Sequence, residues 1–296
     1  MARSEFKNKY KLLWEIEVRW DSVVYFAIER QTKKNVIVKY KNLDKDYPSR
    51  ACKKISEDIL LNELQFLLNP VLERCSCTPT LHDYFFDQYE FYIVTDYIKG
   101  YGLDTIKGCS EKTVVNIANK ILKILRYLHY NNIIYRDVRP ASFFEDEFHE
   151  IHIKDFSIAM LCDKNYLSDT AILGSPGFAP PEQYGSLSAS PCFASDIYAL
   201  GQTMKCLLVS EDIILHNDPQ IPIRCYRKDV SPELEAVITK MTYPDLQERY
   251  QSVDEVLDAL RNYKKINTFR KLSLLAKSSE NIKHYNKIYN IEDQLN

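Results

Sequence analysis

The chain has 296 residues, of which 45% are hydrophobic and 27% charged, a composition that excludes a disordered protein and suits one two-lobed domain or two small ones. With 39 Lys and Arg against 41 Asp and Glu, the formal net charge is -2, which argues against a dedicated nucleic-acid binder. No apolar run approaches bilayer length and the start, Met1-Ala2-Arg3-Ser4-Glu5-Phe6-Lys7, has no apolar core, so a cytoplasmic protein without membrane insertion is expected.

In chain order, Tyr10 to Ile16, Val23 to Glu29 and Asn35 to Tyr40 are strand-like runs with polar breaks, the pattern of an antiparallel meander. From Ser49 to Leu68 the period changes, and Ile55, Ile59, Leu60, Glu63, Leu64 and Leu67 share one side of a predicted helix. Leu81 to Phe86 and Glu90 to Tyr97 return to strand composition. Five strands and one long helix then make a small first lobe.

A connector at Lys99-Gly100 opens the second lobe. Glu111 to Asn131 carries Val114, Val115, Ile117, Ala118, Ile121, Leu122, Leu125 and Leu128 at the spacing of a buried helix, with Ser110 as N-cap. Further helices are predicted over Ser195 to Leu208, Ser231 to Met241 and Ser252 to Tyr263, the last with Ser252 and Glu255 as a capping box. The tail from Asn267 to Asn296 is polar, with scattered Leu and Ile that would pack a helix on the large lobe or meet a partner. The eight cysteines lack framework spacing, and reduced thiols are expected, Cys75 and Cys77 included.

Four motifs follow one another. A Val36-Ile37-Val38-Lys39 strand is followed by Tyr135-Arg136-Asp137-Val138-Arg139-Pro140. Asp155-Phe156-Ser157 comes next, and then Gly174-Ser175-Pro176-Gly177-Phe178-Ala179-Pro180-Pro181-Glu182. Their order and spacing resemble the catalytic strand, catalytic loop, metal-binding loop and activation-segment anchor of the protein kinases, over roughly residues 10 to 264. The resemblance implies an α+β, bilobal protein-kinase-like fold: a small antiparallel-sheet lobe plus one helix over residues 10–98, a mainly helical large lobe over 99–264 and a C-terminal extension over 265–296.

Phosphoryl transfer needs cations near the phosphates, carboxylates for magnesium and a base for the incoming hydroxyl. The resemblance assigns Lys39 to the phosphates, Glu63 as its helix partner, Asp137 as the catalytic carboxylate with Arg139 beside it, and Asp155 as a magnesium ligand. Ser142 stands where the family carries a second metal-binding asparagine. Val24, Ile37 and Phe144 would line the adenine, with Thr95 behind it and Asp96 to Ile98 as the hinge. Ile37 and Phe144 are bulkier than the family's usual residues, which narrows the cavity. Glu17, Arg19 and Ser22 replace the glycines that let backbone amides approach phosphate, and Arg19 could reach a phosphate instead.

Ser168, Thr170 and Ser175 are candidate phosphate acceptors in the activation segment, with Ser175 more suited to touching Asp137 and Arg139. Glu182 is expected to pair with Arg249, and Asp196 to brace the catalytic loop. Tyr135, Phe156, Leu67 and an aromatic among Tyr84 to Phe86 would form an apolar column. The function implied is ATP- and magnesium-dependent phosphorylation of protein serine or threonine hydroxyls. The alternative is a pseudokinase that regulates a protein partner.

Overall fold

The computed structural model describes residues 2–44, 46–86, 89–162, 174–184, 190–210 and 221–265, with residues 273, 277, 280 and 281 beyond. Ser168, Thr170 and nearly all of the tail lie outside the described residues. The chain divides into two units: residues Met1–Tyr101 with Glu145–Ala159, and Gly102–Phe144 with Met160–Asn296.

In the first unit, strands β1 (Tyr10–Val18), β2 (Val23–Glu29), β3 (Asn35–Asn42), β4 (Leu81–Phe86) and β5 (Glu90–Asp96) form one antiparallel sheet in the order β1-β2-β3-β5-β4. Successive side chains in a strand point to opposite faces. One face supplies Ala27, Val36, Val38, Tyr92 and Val94 to an apolar core that Phe6 and Tyr10 complete. Phe6 belongs to helix α1 (Ala2–Lys9), absent from the sequence expectation. Its ring stacks on Tyr92 with centroids 4.1 Å apart, and Lys9 Nζ lies 2.6 Å from Asp83. Helix α2 (Arg50–Leu67) begins at Ser49, whose Oγ accepts the Cys52 amide, and buries Leu60, Glu63, Phe66 and Leu67. A short helix, α3 (Pro70–Glu73), follows, and Cys75 and Cys77 after it are joined by a disulfide, which corrects the expectation of reduced thiols at this pair.

In the second unit, α4 (Glu111–Tyr130) starts where Ser110 Oγ accepts the Thr113 amide, and its buried face runs from Val114 through Ile121 and Leu125 to Leu128. Helix α5 (Phe193–Leu208) is buried along almost its whole length. Helices α6 (Pro232–Met241) and α7 (Val253–Asn262) are capped by Ser231 and Ser252. Gly201 lets α5 approach the end of α6, because a Cβ there would lie 2.5 Å from Thr242 Cγ2. The α+β architecture is therefore an antiparallel-sheet unit and a mainly helical unit. Among the described residues, no helix is long and apolar enough to cross a membrane.

Candidate active site

The first unit gathers one set of charges. Val24 and Ile93 are the cross-strand neighbours of Lys39, and Phe26 and Thr95 those of Ile37. Directly opposed residues share a face, so Val24, Ile37, Lys39 and Thr95 lie together on the face opposite the apolar core. Lys39 is buried and donates to Glu63 Oε2 of α2, and to Ser157 Oγ at 3.1 Å. Ser157 Oγ in turn donates to Glu63 at 3.3 Å. Burial pushes the Glu63 carboxyl upward in pKa, and the Lys39 ammonium works against that rise.

Asp155 follows the short strand Ile151–Ile153. Its Oδ2 accepts Arg19 Nη1 at 2.6 Å and its Oδ1 accepts the Ser157 amide at 3.1 Å. Burial disfavours this carboxylate, yet the fields of Lys39 and Arg19 and these hydrogen bonds outweigh it and hold the pKa well below the usual range. Asn62 Nδ2 reaches the carbonyls of Phe156, Ser157 and Ala159, at 3.2, 3.2 and 2.9 Å, which ties the Asp155 loop to α2. Phe66 of α2 stacks its ring on Phe156, with centroids 5.9 Å apart, and Leu67, the residue expected in the column with Phe156, is buried beside it in sequence. At the end of β5, the Asp96 side chain accepts the Thr80 amide at 3.3 Å and lies 2.6 Å from His82 Nε2; Ile98 beyond it is half-buried.

The second unit builds a different constellation on the loop after the buried strand Ile133–Ile134. Asp196, at the start of α5 and fully buried, accepts the amides of Tyr135 at 2.9 Å and Arg136 at 2.7 Å, and His129 Nε2 lies 2.8 Å from its Oδ2. Those bonds hold Arg136 at φ 67°, a left-handed conformation costly for a non-glycine residue. The next residue, Asp137, accepts Ser142 Oγ at 2.6 Å and Ser175 Oγ at 2.7 Å, and Arg139 Nε stands 3.3 Å from its Oδ1. Phe144 is half-buried two residues beyond Ser142.

The anchor of Ser175 is equally specified. Glu182 accepts Arg249 Nη1 at 2.7 Å and Nη2 at 2.9 Å, with both side chains fully buried, and Ser195 Oγ donates to the same carboxylate at 2.7 Å. Gly174 admits no side chain, since a Cβ would lie 2.5 Å from that of Ala179.

The donor set fits a magnesium ion that arrives with phosphates. Magnesium is commonly held by one or two carboxylates plus substrate phosphate oxygens, and Asp155 supplies one ionised carboxylate. Among the described residues no group of three or more His, Cys, Asp or Glu forms an all-protein cage. Ser142 offers oxygen lone pairs only, because its hydroxyl hydrogen is directed at Asp137.

Sequence reasoning missed the bridging role of Ser157, the clasp made by Asn62, and a buried pair behind the β1–β2 turn, Lys41 Nζ to Asp21 Oδ2 at 2.7 Å. Of these only Ser157 carried a signal, as a residue with a hydroxyl where the family has glycine.

A family profile described as the protein kinase domain matches residues 21–273. The chain is similar to serine/threonine-protein kinase B of Synechocystis sp., with 34% identity over 199 residues, covering 62% of this chain and 34% of that protein. It is also similar to serine/threonine-protein kinase D of the same organism, at 29% over 207 residues, 66% of this chain and 40% of the relative. A probable serine/threonine-protein kinase of Clostridium acetobutylicum is 24% identical over 284 residues, 89% of this chain and 41% of the relative. The chain spans about a third to two fifths of the length of these curated relatives.

Proposed function

The chain belongs to the protein kinase family, and we propose that it transfers the γ-phosphoryl group of ATP to serine or threonine hydroxyls of a protein substrate in the cytoplasm. The observation that carries this reading is the ion pair of Lys39 with Glu63 on the sheet face that also bears Val24 and Ile37. A buried lysine locked to a helix carboxylate is expensive to keep unless its charge is used.

In this reading Lys39, steered by Glu63 and Ser157, presents its ammonium to the nucleotide phosphates. Asp155 would hold magnesium, which when bound neutralises charge on those phosphates. Val24 and Ile37 cover the adenine from the sheet, Phe144 contributes the floor, and Asp96 to Ile98 offer backbone groups to its edge. Asp137 orients the incoming hydroxyl and accepts its proton, in a loop whose backbone Asp196 fixes. Arg139, beside Asp137, supplies charge toward the transferring group. Ser175, bonded to Asp137, shapes the place of the serine or threonine, and the named kinases among the relatives support that choice of acceptor.

The test is transfer of radiolabel from ATP to a generic basic protein, with Asp137→Asn as control and thermal shift as the measure of ATP binding. Transfer by the wild-type chain that is lost in a folded D137N protein supports the proposal. A folded wild-type chain that neither binds ATP nor transfers label would overturn it, leaving the noncatalytic regulator toward which the glycine-free β1–β2 turn points.

A further inference from the structure

The β1–β2 turn is fixed at both ends of its charge pattern. Asp21 and Ser22 are buried, and the Arg19 amide donates to the Ser22 carbonyl at 2.8 Å. Asp21 pairs with Lys41 of β3, whose side chain is 1% exposed and which also donates to the Ser56 carbonyl of α2. Ser56 Oγ adds a contact to Asp21 at 3.4 Å. The turn is thus clamped to β3 and α2 by a buried ion pair, whereas a glycine-rich turn would leave its backbone free.

On that clamped turn, Glu17 grips one edge of the Arg19 guanidinium, accepting Nε at 2.8 Å and Nη2 at 3.0 Å. Arg19 has a rigid planar fork, so the grip aims the remaining nitrogen, Nη1, at Asp155 Oδ2, 2.6 Å away. The other oxygen of Asp155 already takes the Ser157 amide. Both oxygens of the proposed metal-binding carboxylate therefore have donors, and one donor is a full positive charge built into the chain.

We propose that Arg19 is a tethered counter-cation that a divalent metal must displace from Asp155, so that the β1–β2 turn sets how much metal the protein needs. The inference rests on Asp155 being the metal ligand of the reading above. A guanidinium and a divalent cation on Oδ2 compete for the same charge and repel one another at that range. Binding of metal requires Arg19 to turn away, toward solvent or toward the phosphates that arrive with the metal. Arg19 and Glu17 then act as positioning residues that set metal affinity.

The experiment measures binding of Mn2+ by the full chain from the loss of the free-ion electron paramagnetic resonance signal. It is run with Mn2+ alone and with the non-hydrolysable analogue adenosine 5′-(β,γ-imido)triphosphate, so no phosphoryl transfer is needed. Arg19→Gln should bind Mn2+ about tenfold more tightly than wild type, the equivalent of one charge-assisted hydrogen bond released. Glu17→Gln, which loosens the grip but keeps the cation, should lie between the two. Adding Asp155→Asn to wild type or R19Q should bring both to the same weak binding. Equal or weaker Mn2+ binding by folded R19Q, with D155N still abolishing it, overturns the gate while leaving Asp155 as a metal ligand. Binding that survives Asp155→Asn, or is absent from every variant even with the analogue, overturns both the gate and the metal assignment. Should R19Q fail to fold, E17Q alone decides, an affinity unchanged from wild type counting against the proposal.

Discussion

Arg249→Met is the sharpest test of how the second unit is held together. The wild-type guanidinium is fully buried, bonds Glu182 through two nitrogens at 2.7 and 2.9 Å, donates to the carbonyls of Tyr243 and Pro244, and lies 4.7 Å over the Tyr198 ring. Methionine keeps a long apolar stem but removes every one of those donors. The Glu182 carboxylate is left buried with Ser195 Oγ donating to it, and loss of one member of such a pair costs about 3–5 kcal/mol. Glu182→Gln should cost a similar amount, because it strands the arginine charge in turn. The double variant removes both charges, so its cost should fall short of the sum of the singles by at least about 1 kcal/mol. Urea titrations of the four proteins, followed by far-ultraviolet circular dichroism, give the cycle. Additivity to within about 0.5 kcal/mol would refute the pairing as the source of the stability.

Lys39→Met should leave the fold intact but abolish ATP-dependent thermal stabilisation, and its stability should become more sensitive to pH. Removing Lys39 lets burial raise the Glu63 pKa further above the unfolded value, so the folded state holds the extra proton and stability falls as pH rises through that window. The stability gap to wild type should therefore be wider near about pH 8 than near about pH 5.5, and a gap independent of pH counts against the pair. Asp196→Asn replaces an acceptor of two amides with a side chain that has one carbonyl oxygen, so an amide of the Arg136 loop loses its partner. A loss of about 1–3 kcal/mol, together with a larger fractional loss of transfer, is expected in melting and radiolabel assays. Ile37→Ala should tighten ATP binding measured calorimetrically, since it removes volume from the Lys39 face of the sheet; unchanged affinity would mean that Ile37 does not limit the cavity.

Elements whose own residues dictate their form were legible. The stripe from Val114 to Leu128 and the serines before α2, α4, α6 and α7 define helices locally, and each of those serines caps its helix. Strands β2 and β4 begin and end where alternation and breaks predict. Helix α1 was not legible because its eight residues are mostly polar, and its place is fixed by Phe6 on Tyr92 and Lys9 on Asp83, contacts about eighty residues away in sequence. The stack of Phe66 on Phe156 was not foreseen, because neighbours on a helix point about 100° apart and the expected apolar column drew only Leu67 from that turn of α2. The motif residues Lys39, Glu63, Asp137 and Asp155 were visible as types in order. The bonds among them were visible only in part, because Ser157 and Asn62 act through a hydroxyl and an amide whose direction depends on the fold.

The buried pair of Asp21 and Lys41 explains why the departures in the β1–β2 turn belong together. A charged residue in a turn reads from sequence as a solvated one, and Lys41, two positions after Lys39, lies on the same face of β3, buried where it donates to the Ser56 carbonyl of α2. Burial lowers the Lys41 pKa, and its hydrogen bond and charge pairing with Asp21 oppose that fall, so Asp21 favours the buried ammonium. Once Asp21 is held by Lys41, the turn can no longer be a mobile glycine flap, and a fixed turn gives Arg19 a fixed direction. Glycine at position 19 would then leave Asp155 without its nearest cation and Glu17 without its partner. Glu17 and Arg19 are therefore linked, each charge answering another within the same unit, and changing one of them alone to glycine should do more harm to the turn than changing both.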